Sequence, residues 1–289
     1  MFVGENEEVK NMQDEKKFGR VFLMGDSLIE DYGEAKLPLC GWGQYFGQYL
    51  HDGIEVKNYA HSGWSTKKFL TVGYGNLYPG RSCWEVLLED IQAGDWLIIC
   101  LGVNDASLVN DGRTTEEEYR ANLTLFTEAV RKKGADVIFG TLHIRGGDDS
   151  SEQGWNYALP PEGKEEPEMD ERWMVRTKVL CEIATDLNVE VFQFGEALKA
   201  VYEGMYQDYM AVHPQATVAE GRNYVRYYFH LYKKAINTPV EEGGLGYDMP
   251  EREDDSTHLN YRGAMVYAKV AAELIAESNT ELATWIKQR

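Results

Sequence analysis

Three residues of this chain carry side chains that can together activate a hydroxyl group for attack on a carbonyl carbon. Ser27 follows a short apolar run, and Asp255 stands three residues before His258 on a predicted loop near the C-terminus. Acyl transfer needs a hydroxyl nucleophile, a base within hydrogen-bond reach and a carboxylate that orients the base. Ser27, His258 and Asp255 supply these groups, although a serine directly after a strand also suits the N-cap of the next helix.

The same chemistry needs hydrogen-bond donors for the negative charge that develops on the carbonyl oxygen. The backbone N–H groups of Ser27 and Gly63 and the side-chain amide of Asn104 are our candidates for this oxyanion hole. Each of these residues follows a different predicted strand. Asp26 and Asp105 adjoin two of them, and we expect both carboxylates to accept local hydrogen bonds in their own turns.

Apolar runs mark the strands that must position these residues. We predict strands at 21–24, 54–59, 95–101, 137–142 and 189–194. We predict helices between and after them, at 41–50, 66–72, 115–133, 171–187 and 264–277. The alternation is typical of a parallel, doubly wound α/β sheet, whose strands end at one shared edge. Ser27, Gly63 and Asn104 should therefore meet at that edge.

The chain has 289 residues and 43% hydrophobic content, which favours one large domain that spans residues 1–289. Two excursions interrupt the alternation, at about 144–170 and about 201–254. The first is rich in glycine, proline and glutamate, and we expect a surface loop over the rim of the sheet. The second is rich in tyrosine, and its aromatic rings either pack a subsidiary helix onto the body or line a groove.

The charge of the chain limits its partners. It has 29 Lys and Arg against 48 Asp and Glu, a formal net charge of -19, which argues against nucleic acid or an anionic membrane as a partner. Cys40, Cys83, Cys100 and Cys181 show no metal-ligand spacing, and we expect them to be reduced. Residues 1–17 lack the apolar core of a signal peptide, and no run approaches the roughly 18 apolar residues of a membrane span. We therefore expect a cytoplasmic enzyme.

Two other classes of protein fit part of this pattern. A binuclear metallophosphoesterase would use Asp26, Asn104, Asp255 and His258 as metal ligands, but such sites need several histidines and these motifs supply one. We therefore expect no metal. A non-catalytic carbohydrate-binding protein would need no triad, whereas this chain has both the serine and the histidine.

The four blocks of candidate residues resemble those of the SGNH (GDSL) hydrolase superfamily. They occur in the superfamily's order across nearly the whole chain, as Gly25-Asp-Ser27, Gly63, Gly102-Val-Asn-Asp105 and Asp255-Ser-Thr-His258. Three further segments resemble the rhamnogalacturonan acetylesterases of carbohydrate esterase family 12. These are Gly41-Trp-Gly-Gln44, Asn58-Tyr-Ala60 and Thr257-His-Leu-Asn-Tyr-Arg-Gly-Ala264.

This resemblance implies a flavodoxin-like three-layer α/β/α sandwich with a five-stranded parallel sheet, and no cofactor. It implies that Ser27, Asp255 and His258 form the triad, with Gly63 and Asn104 completing the oxyanion hole. The implied activity is the removal of O-acetyl groups from pectin-type, rhamnogalacturonan-derived sugars through an acyl-enzyme. A short-chain lipid esterase or thioesterase of the same superfamily is the alternative.

Two positions depart from the family's pattern and bear on the substrate. The family usually has arginine where Trp64 stands and often has histidine where Val103 stands. Neither change removes a catalytic group, but a tryptophan cannot pair with the carboxylate of an acidic sugar as an arginine can. We expect Trp64 and Trp155 to offer stacking surfaces to a small acetylated oligosaccharide.

Overall fold

The computed structural model of the chain describes residues 18–76, 78–107, 110–143 and 170–287, with residues 170–175 described by their backbone alone. The strands in these ranges are β1 (Val21–Gly25), β2 (Leu39–Cys40), β3 (Val56–Asn58), β4 (Trp96–Cys100), β5 (Asp136–Gly140), β6 (Glu190–Phe192), β7 (His230–Leu231) and β8 (Asp255–Asn260). The α-helices are α1 (Gly43–Phe46), α2 (Thr66–Thr71), α3 (Cys83–Asp90), α4 (Val103–Ala106), α5 (Glu116–Lys132), α6 (Asp170–Leu187), α7 (Phe194–Val212), α8 (Val218–Phe229), α9 (Lys233–Asn237) and α10 (Tyr261–Ala276).

Five of these strands form a parallel sheet in the order β3-β1-β4-β5-β6. β1 pairs with β4 along its whole length, from Val21 opposite Trp96 to Gly25 opposite Cys100, so that the two strands end level. Along the chain, β3 is added on one side of β1 and β4 on the other, so the direction in which strands are added reverses at β1. Ligands of open α/β sheets bind in the crevice at such a point. The predicted five-stranded, flavodoxin-like sheet is confirmed.

Alternate residues of the strands pack into two separate cores. Val21 and Leu23 face one core, which α1, α7, α8 and α10 cover. Phe22 and Met24 face the other, which α2, α3, α5 and α6 cover. Because both faces of the sheet are covered, its central strands are continuous apolar runs rather than alternating ones. This is the three-layer α/β/α arrangement that we predicted.

Helix α5 illustrates how closely local sequence sets the bounds of an element. Thr115 and Glu118 form a capping box, in which the Thr115 side chain accepts from the Glu118 N–H and the Glu118 side chain accepts from the Thr115 N–H. Glutamates fill the first turn and Arg131 and Lys132 the last, as the helix dipole favours. The predicted helix at 115–133 is confirmed.

A second, antiparallel sheet in the order β2-β8-β7 was not predicted. We expected Asp255 and His258 to lie on a loop, but both lie in β8, which pairs with β2 on one side and with β7 on the other. The prediction was wrong because the polar stretch 254–258 lacks the apolar alternation of a strand. Its partners are two-residue strands that are distant in sequence.

The second excursion is mainly helical and belongs largely to the body of the protein. α7 and α8 occupy most of 201–229, and the buried rings of Tyr202 and Phe229 stack with their centroids 4.2 Å apart. Tyr202 and Phe229 therefore pack a helical pair onto the sheet, as in the first of the two interpretations, whereas Tyr224 is exposed. The excursion at 144–170 lies almost wholly outside the described residues. No helix within the described ranges is both long and apolar enough to span a bilayer.

Candidate active site

The turn after β1 presents Ser27 at the carboxyl edge of the sheet. The Asp26 carbonyl accepts hydrogen bonds from the N–H groups of Ile29 (3.0 Å) and Glu30 (3.1 Å), which closes the turn. The Asp26 carboxylate accepts from the N–H of Leu28 at 3.0 Å, so the local role predicted for it is confirmed. Ser27 is 8% exposed, so its side chain sits in a crevice rather than on an open surface.

Two side chains that we did not predict brace the main chain around Ser27. The Tyr32 hydroxyl donates to the Ser27 carbonyl at 3.0 Å. The Glu30 carboxylate accepts from the N–H of Ser62, at 2.5 Å. The Tyr32 contact braces the turn after β1, and the Glu30 contact fixes that turn against the loop that follows β3. A tyrosine five residues after the serine carries no sequence signal for this role.

The strongest interaction of the site joins His258 to Asp255. Nδ1 of His258 lies 2.6 Å from Oδ2 of Asp255, while Oδ1 accepts from the N–H groups of Thr257 (2.8 Å) and His258 (3.0 Å). Burial favours a raised pKa of Asp255, but the hydrogen bonds from His258 and Thr257 outweigh it and hold that pKa well below its ordinary value. The carboxylate is therefore ionised and can support a positive charge on the imidazole.

An irregularity in β8 makes this contact possible. In a regular strand, residues separated by an odd number of positions point to opposite faces. His230 pairs with Leu259, whereas Leu231 pairs with Asp255, so the intervening residues of β8 bulge out of the ladder. Bulges of this kind redirect side chains and are common beside active sites. Here the bulge brings the side chains of Asp255 and His258 to one side.

Burial raises the pKa of the Asp26 carboxyl after β1, and the charge of His258 is one of the smaller influences that oppose this shift. The hydrogen bonds described for Ser27 and His258 do not include one between Oγ and Nε2. Such contacts are often long in ligand-free enzymes and tighten when substrate binds. The structure thus joins Asp255 to His258 directly. The role of His258 as the base for Ser27 stays a prediction.

The predicted oxyanion donors lie in the segments that follow three strands, β1, β3 and β4. Among the described residues, the N–H groups of Ser27 and Gly63 have no acceptor. Gly63 has a φ of +73°, a conformation that other residues rarely adopt, and it faces open space. The Asn104 amide donates one hydrogen bond, at 2.9 Å, to the Trp64 carbonyl in the loop that carries Gly63.

Asp105 corrects one of our expectations, because its partners are not local. Its buried carboxylate accepts from the N–H of Thr66 (3.1 Å), the hydroxyl of Thr66 (2.5 Å) and the hydroxyl of Thr114 (2.9 Å). Burial raises the pKa of Asp105, and these donors oppose that shift. The side chain therefore ties the loop after β4 to the first residue of α2.

Asn110 is the residue at this site that sequence reasoning missed most clearly. Its amide donates to the carbonyl of Gly63 at 2.9 Å and to Oδ1 of Asn104 at 3.0 Å. The run Asn110-Asp-Gly112 is a recognisable turn signal. That signal gives no indication of partners 6 and 47 positions earlier in the chain.

Of the two tryptophans that we expected to stack on substrate, the structure describes Trp64. The Trp64 ring is half-buried, with its centroid 4.3 Å from that of His61 and 5.1 Å from that of Phe69. One part of the ring is thus committed to packing, and its stacking role stays a prediction. Trp155 lies outside the described residues. His61 packs behind the loop, and burial lowers its pKa.

A three-layer α/β/α fold with a serine directly after β1, and with a histidine hydrogen-bonded to an aspartate in β8, is compatible with an ester hydrolase. A family model for the GDSL-like lipase/acylhydrolase family matches residues 23–220, and the chain belongs to that family. It is therefore an ester hydrolase, and the resemblance predicted from the four sequence blocks is confirmed.

Individual relatives agree with this assignment. The chain is 29% identical over 262 residues to rhamnogalacturonan acetylesterase RhgT of Bacillus subtilis, with 91% of each chain covered. The crystal structure of Bacillus subtilis YxiM superposes with a TM-score of 0.61 at 19% identity, covering 90% of this chain and 57% of that one. Axe2, an acetylxylan esterase from Geobacillus stearothermophilus, superposes with a TM-score of 0.52 at 14% identity, covering 93% and 97%. The similarities to the YxiM and Axe2 structures show a shared fold and nothing further.

The burial of Asp26 predicts a specific pH dependence of stability. Burial raises the pKa of Asp26 from 3.8 to about 6. The folded state therefore binds the proton more tightly than the unfolded state, and the free energy of unfolding falls as pH rises between these values. The expected loss is on the order of 3 kcal/mol. Asp26→Asn retains an acceptor for Leu28 but cannot ionise, so it should not show this loss.

Urea denaturation of both proteins at about pH 4 and about pH 7 measures the effect. The variant should gain stability relative to the unmodified protein at the higher pH. An equal difference between the two proteins at both pH values would show that Asp26 ionises normally in the folded state.

Proposed function

We propose that this ester hydrolase removes O-acetyl groups from rhamnogalacturonan-type oligosaccharides through an acyl-enzyme on Ser27. Membership of the lipase/acylhydrolase family supports ester hydrolysis. The observation that carries the mechanism is the 2.6 Å hydrogen bond between His258 and the ionised Asp255. The relative RhgT, a rhamnogalacturonan acetylesterase, supports the choice of acetylated sugar.

In the first half of the reaction, the acetyl group moves from the sugar to the enzyme. Oγ of Ser27 attacks the acetyl carbonyl carbon while Nε2 of His258 takes the serine proton. The negative charge on the carbonyl oxygen is stabilised by the N–H groups of Ser27 and Gly63 and by the free N–H of the Asn104 amide. The bond to the sugar oxygen then breaks, and His258 returns the proton to that oxygen.

In the second half, water releases the acetyl group. His258 takes a proton from a water molecule, whose oxygen attacks the acetyl carbon on Ser27, and the same donors stabilise the second tetrahedral intermediate. Collapse of this intermediate breaks the bond to Oγ, which recovers its proton from His258. The products are acetate and the free enzyme. Asp255 keeps Nδ1 of His258 protonated throughout, so that Nε2 is the basic nitrogen.

The charge of the protein favours short substrates over pectin polymer. A net charge of -19 repels a polyanion over a Debye length of about 8 Å at physiological salt. The Glu30 carboxylate, held by the N–H of Ser62 next to Gly63, adds negative charge close to the proposed oxyanion hole. A short or neutral acetylated fragment meets less repulsion than a long polygalacturonate-containing chain.

The direct test of the nucleophile is Ser27→Ala. Loss of a triad member in serine hydrolases lowers turnover on the order of 10⁴-fold. The fold should stay intact, because the side chain removed is short and follows the end of β1. p-Nitrophenyl acetate hydrolysis and thermal unfolding should be measured together. Ser278→Ala, beyond the far end of α10, is the matched control and should keep full activity. A folded Ser27→Ala protein that retains more than about a tenth of turnover would refute the assignment.

The acyl group is tested by chain length. Acetyl is small and needs little acyl pocket, so p-nitrophenyl acetate should be cleaved faster than the octanoate ester, as compared by kcat/KM. Acetate release from an acetylated rhamnogalacturonan oligosaccharide should exceed release from the polymer at equal acetyl concentration. A preference for the octanoate ester would favour the lipid esterase alternative instead.

The proposed stacking role of Trp64 is tested by Trp64→Ala. If the exposed part of the ring stacks on a sugar, acetate release from the oligosaccharide should fall on the order of tenfold while p-nitrophenyl acetate hydrolysis changes little. Trp64→Phe should restore part of the oligosaccharide activity, since it keeps an aromatic face. Equal losses on both substrates would mean that the ring only supports the loop bearing Gly63, through its packing on His61 and Phe69.

A further inference from the structure

We propose that Asn110 is a positioning residue that sets the geometry of the oxyanion hole by holding Gly63 and Asn104 together. The inference rests on the proposed function, because it concerns the donors that this function uses. Asn110 touches no reacting atom in the proposed mechanism. Its effect on the reaction would pass through the two residues that it binds.

The amide of Asn110 bridges the two oxyanion loops directly. One hydrogen bond, at 2.9 Å, reaches the carbonyl of Gly63, which belongs to the loop after β3. The other, at 3.0 Å, reaches Oδ1 of Asn104 in α4, directly after β4. A single planar group thus sets the separation of a backbone donor and a side-chain donor that come from different strands.

The bond to Asn104 also decides which end of that carboxamide faces the site. An asparagine side chain has an acceptor oxygen and a donor nitrogen at nearly equivalent positions. Because Oδ1 of Asn104 accepts from Asn110, Nδ2 must point the other way, where one N–H reaches the Trp64 carbonyl. The second N–H is then available to substrate. The reversed rotamer would present an oxygen to a developing negative charge and would raise the barrier.

Asn110 is itself fixed on its remaining polar atom. Its Oδ1 accepts from the N–H of Gly112 at 2.8 Å, and the Gly112 carbonyl accepts from the buried Ser65 hydroxyl at 2.6 Å. A Cβ at position 112 would lie 2.5 Å from Oγ of Ser65, so only glycine permits this close approach. The amide of Asn110 therefore has both N–H donors and its oxygen engaged, and it has little freedom to turn.

The experiment is a double-mutant cycle of Asn110→Ala and Asn104→Ala, assayed with p-nitrophenyl acetate. Removing one oxyanion donor typically lowers kcat on the order of 10²-fold or more, and misplacing it should cost between about 10-fold and 10²-fold. We expect Asn110→Ala to lower kcat in this range with KM changed less than about 3-fold. In the Asn104→Ala background, the further loss from Asn110→Ala should shrink to a few-fold, because only the Gly63 contact remains.

Two variants separate positioning from stability. Asn110→Asp has the same shape but cannot donate to Gly63 or Asn104, so it should lose at least as much kcat; it carries the test if Asn110→Ala does not fold. Asn237→Ala is the matched control, because Asn237 also bridges main-chain groups, donating to Lys233 and Met249 and accepting from Met249. It should lower thermal stability without lowering kcat.

Two results would overturn the inference. One is an unchanged kcat in Asn110→Asp, and the other is a loss in the double variant equal to the product of the single losses. Neither result touches the proposed function, which fails instead if the unmodified enzyme cleaves no acetyl ester. Since p-nitrophenyl acetate is the probe throughout, the identity of the natural sugar does not enter the test.

Discussion

The hydrogen bond between His258 and Asp255 is the interaction on which the rest of the site depends, and it exists because β8 is irregular. Pairing with β2 and β7 holds the ends of this strand, while its centre bulges to bring the two side chains together. Behind the bulge, the buried His230 contacts the His258 carbonyl through Nδ1 at 3.3 Å and the Tyr202 hydroxyl through Nε2 at 2.8 Å. Burial lowers the pKa of His230 to about 4, so this support is neutral at physiological pH.

Three carboxylates near the site are placed in different surroundings and so suit different roles. Asp255 accepts several hydrogen bonds and has a lowered pKa, which suits a permanent partner for an imidazole that gains and loses a proton. Asp26 and Asp105 are almost fully buried and have raised pKa values. Their contacts are with main-chain N–H groups and threonine hydroxyls. They shape the loops rather than exchange protons with substrate. Their burial lowers the stability of the folded protein, and the geometry of the loops requires that burial.

The sequence predicted the central sheet and the order of the site residues, because both follow from local patterns. Continuous apolar runs such as 96–100 can be recognised without knowing their partners, and parallel strands must end at one edge. The contacts that complete the site are of another kind. Asp105 binds Thr66 and Asn110 binds Gly63, 39 and 47 positions away in the chain, and no local pattern encodes such pairings.

The strand β8 and the packing of the second excursion also depend on contacts that local sequence does not encode. A short polar strand with a bulge has no alternating pattern, so Asp255 and His258 were expected on a loop. The tyrosines of 201–232 could be assigned to packing or to a groove only once α7 and α8 were placed against the sheet, where Tyr202 and Phe229 are fully buried. Local sequence identifies the side chains available for chemistry, whereas the tertiary hydrogen bonds determine their orientation.

The central claim, that Ser27 carries the acetyl group during turnover, is tested most directly by trapping the intermediate. The enzyme would be mixed with excess p-nitrophenyl acetate, quenched in acid during turnover and digested, and its peptides mapped by mass spectrometry. We predict one acetyl group on the peptide that contains Ser27, assigned to that serine by fragmentation, and none there after the substrate is exhausted. An acetyl group that turns over on a different residue, or hydrolysis in which no peptide is ever acetylated under conditions that trap a known serine esterase, would contradict it.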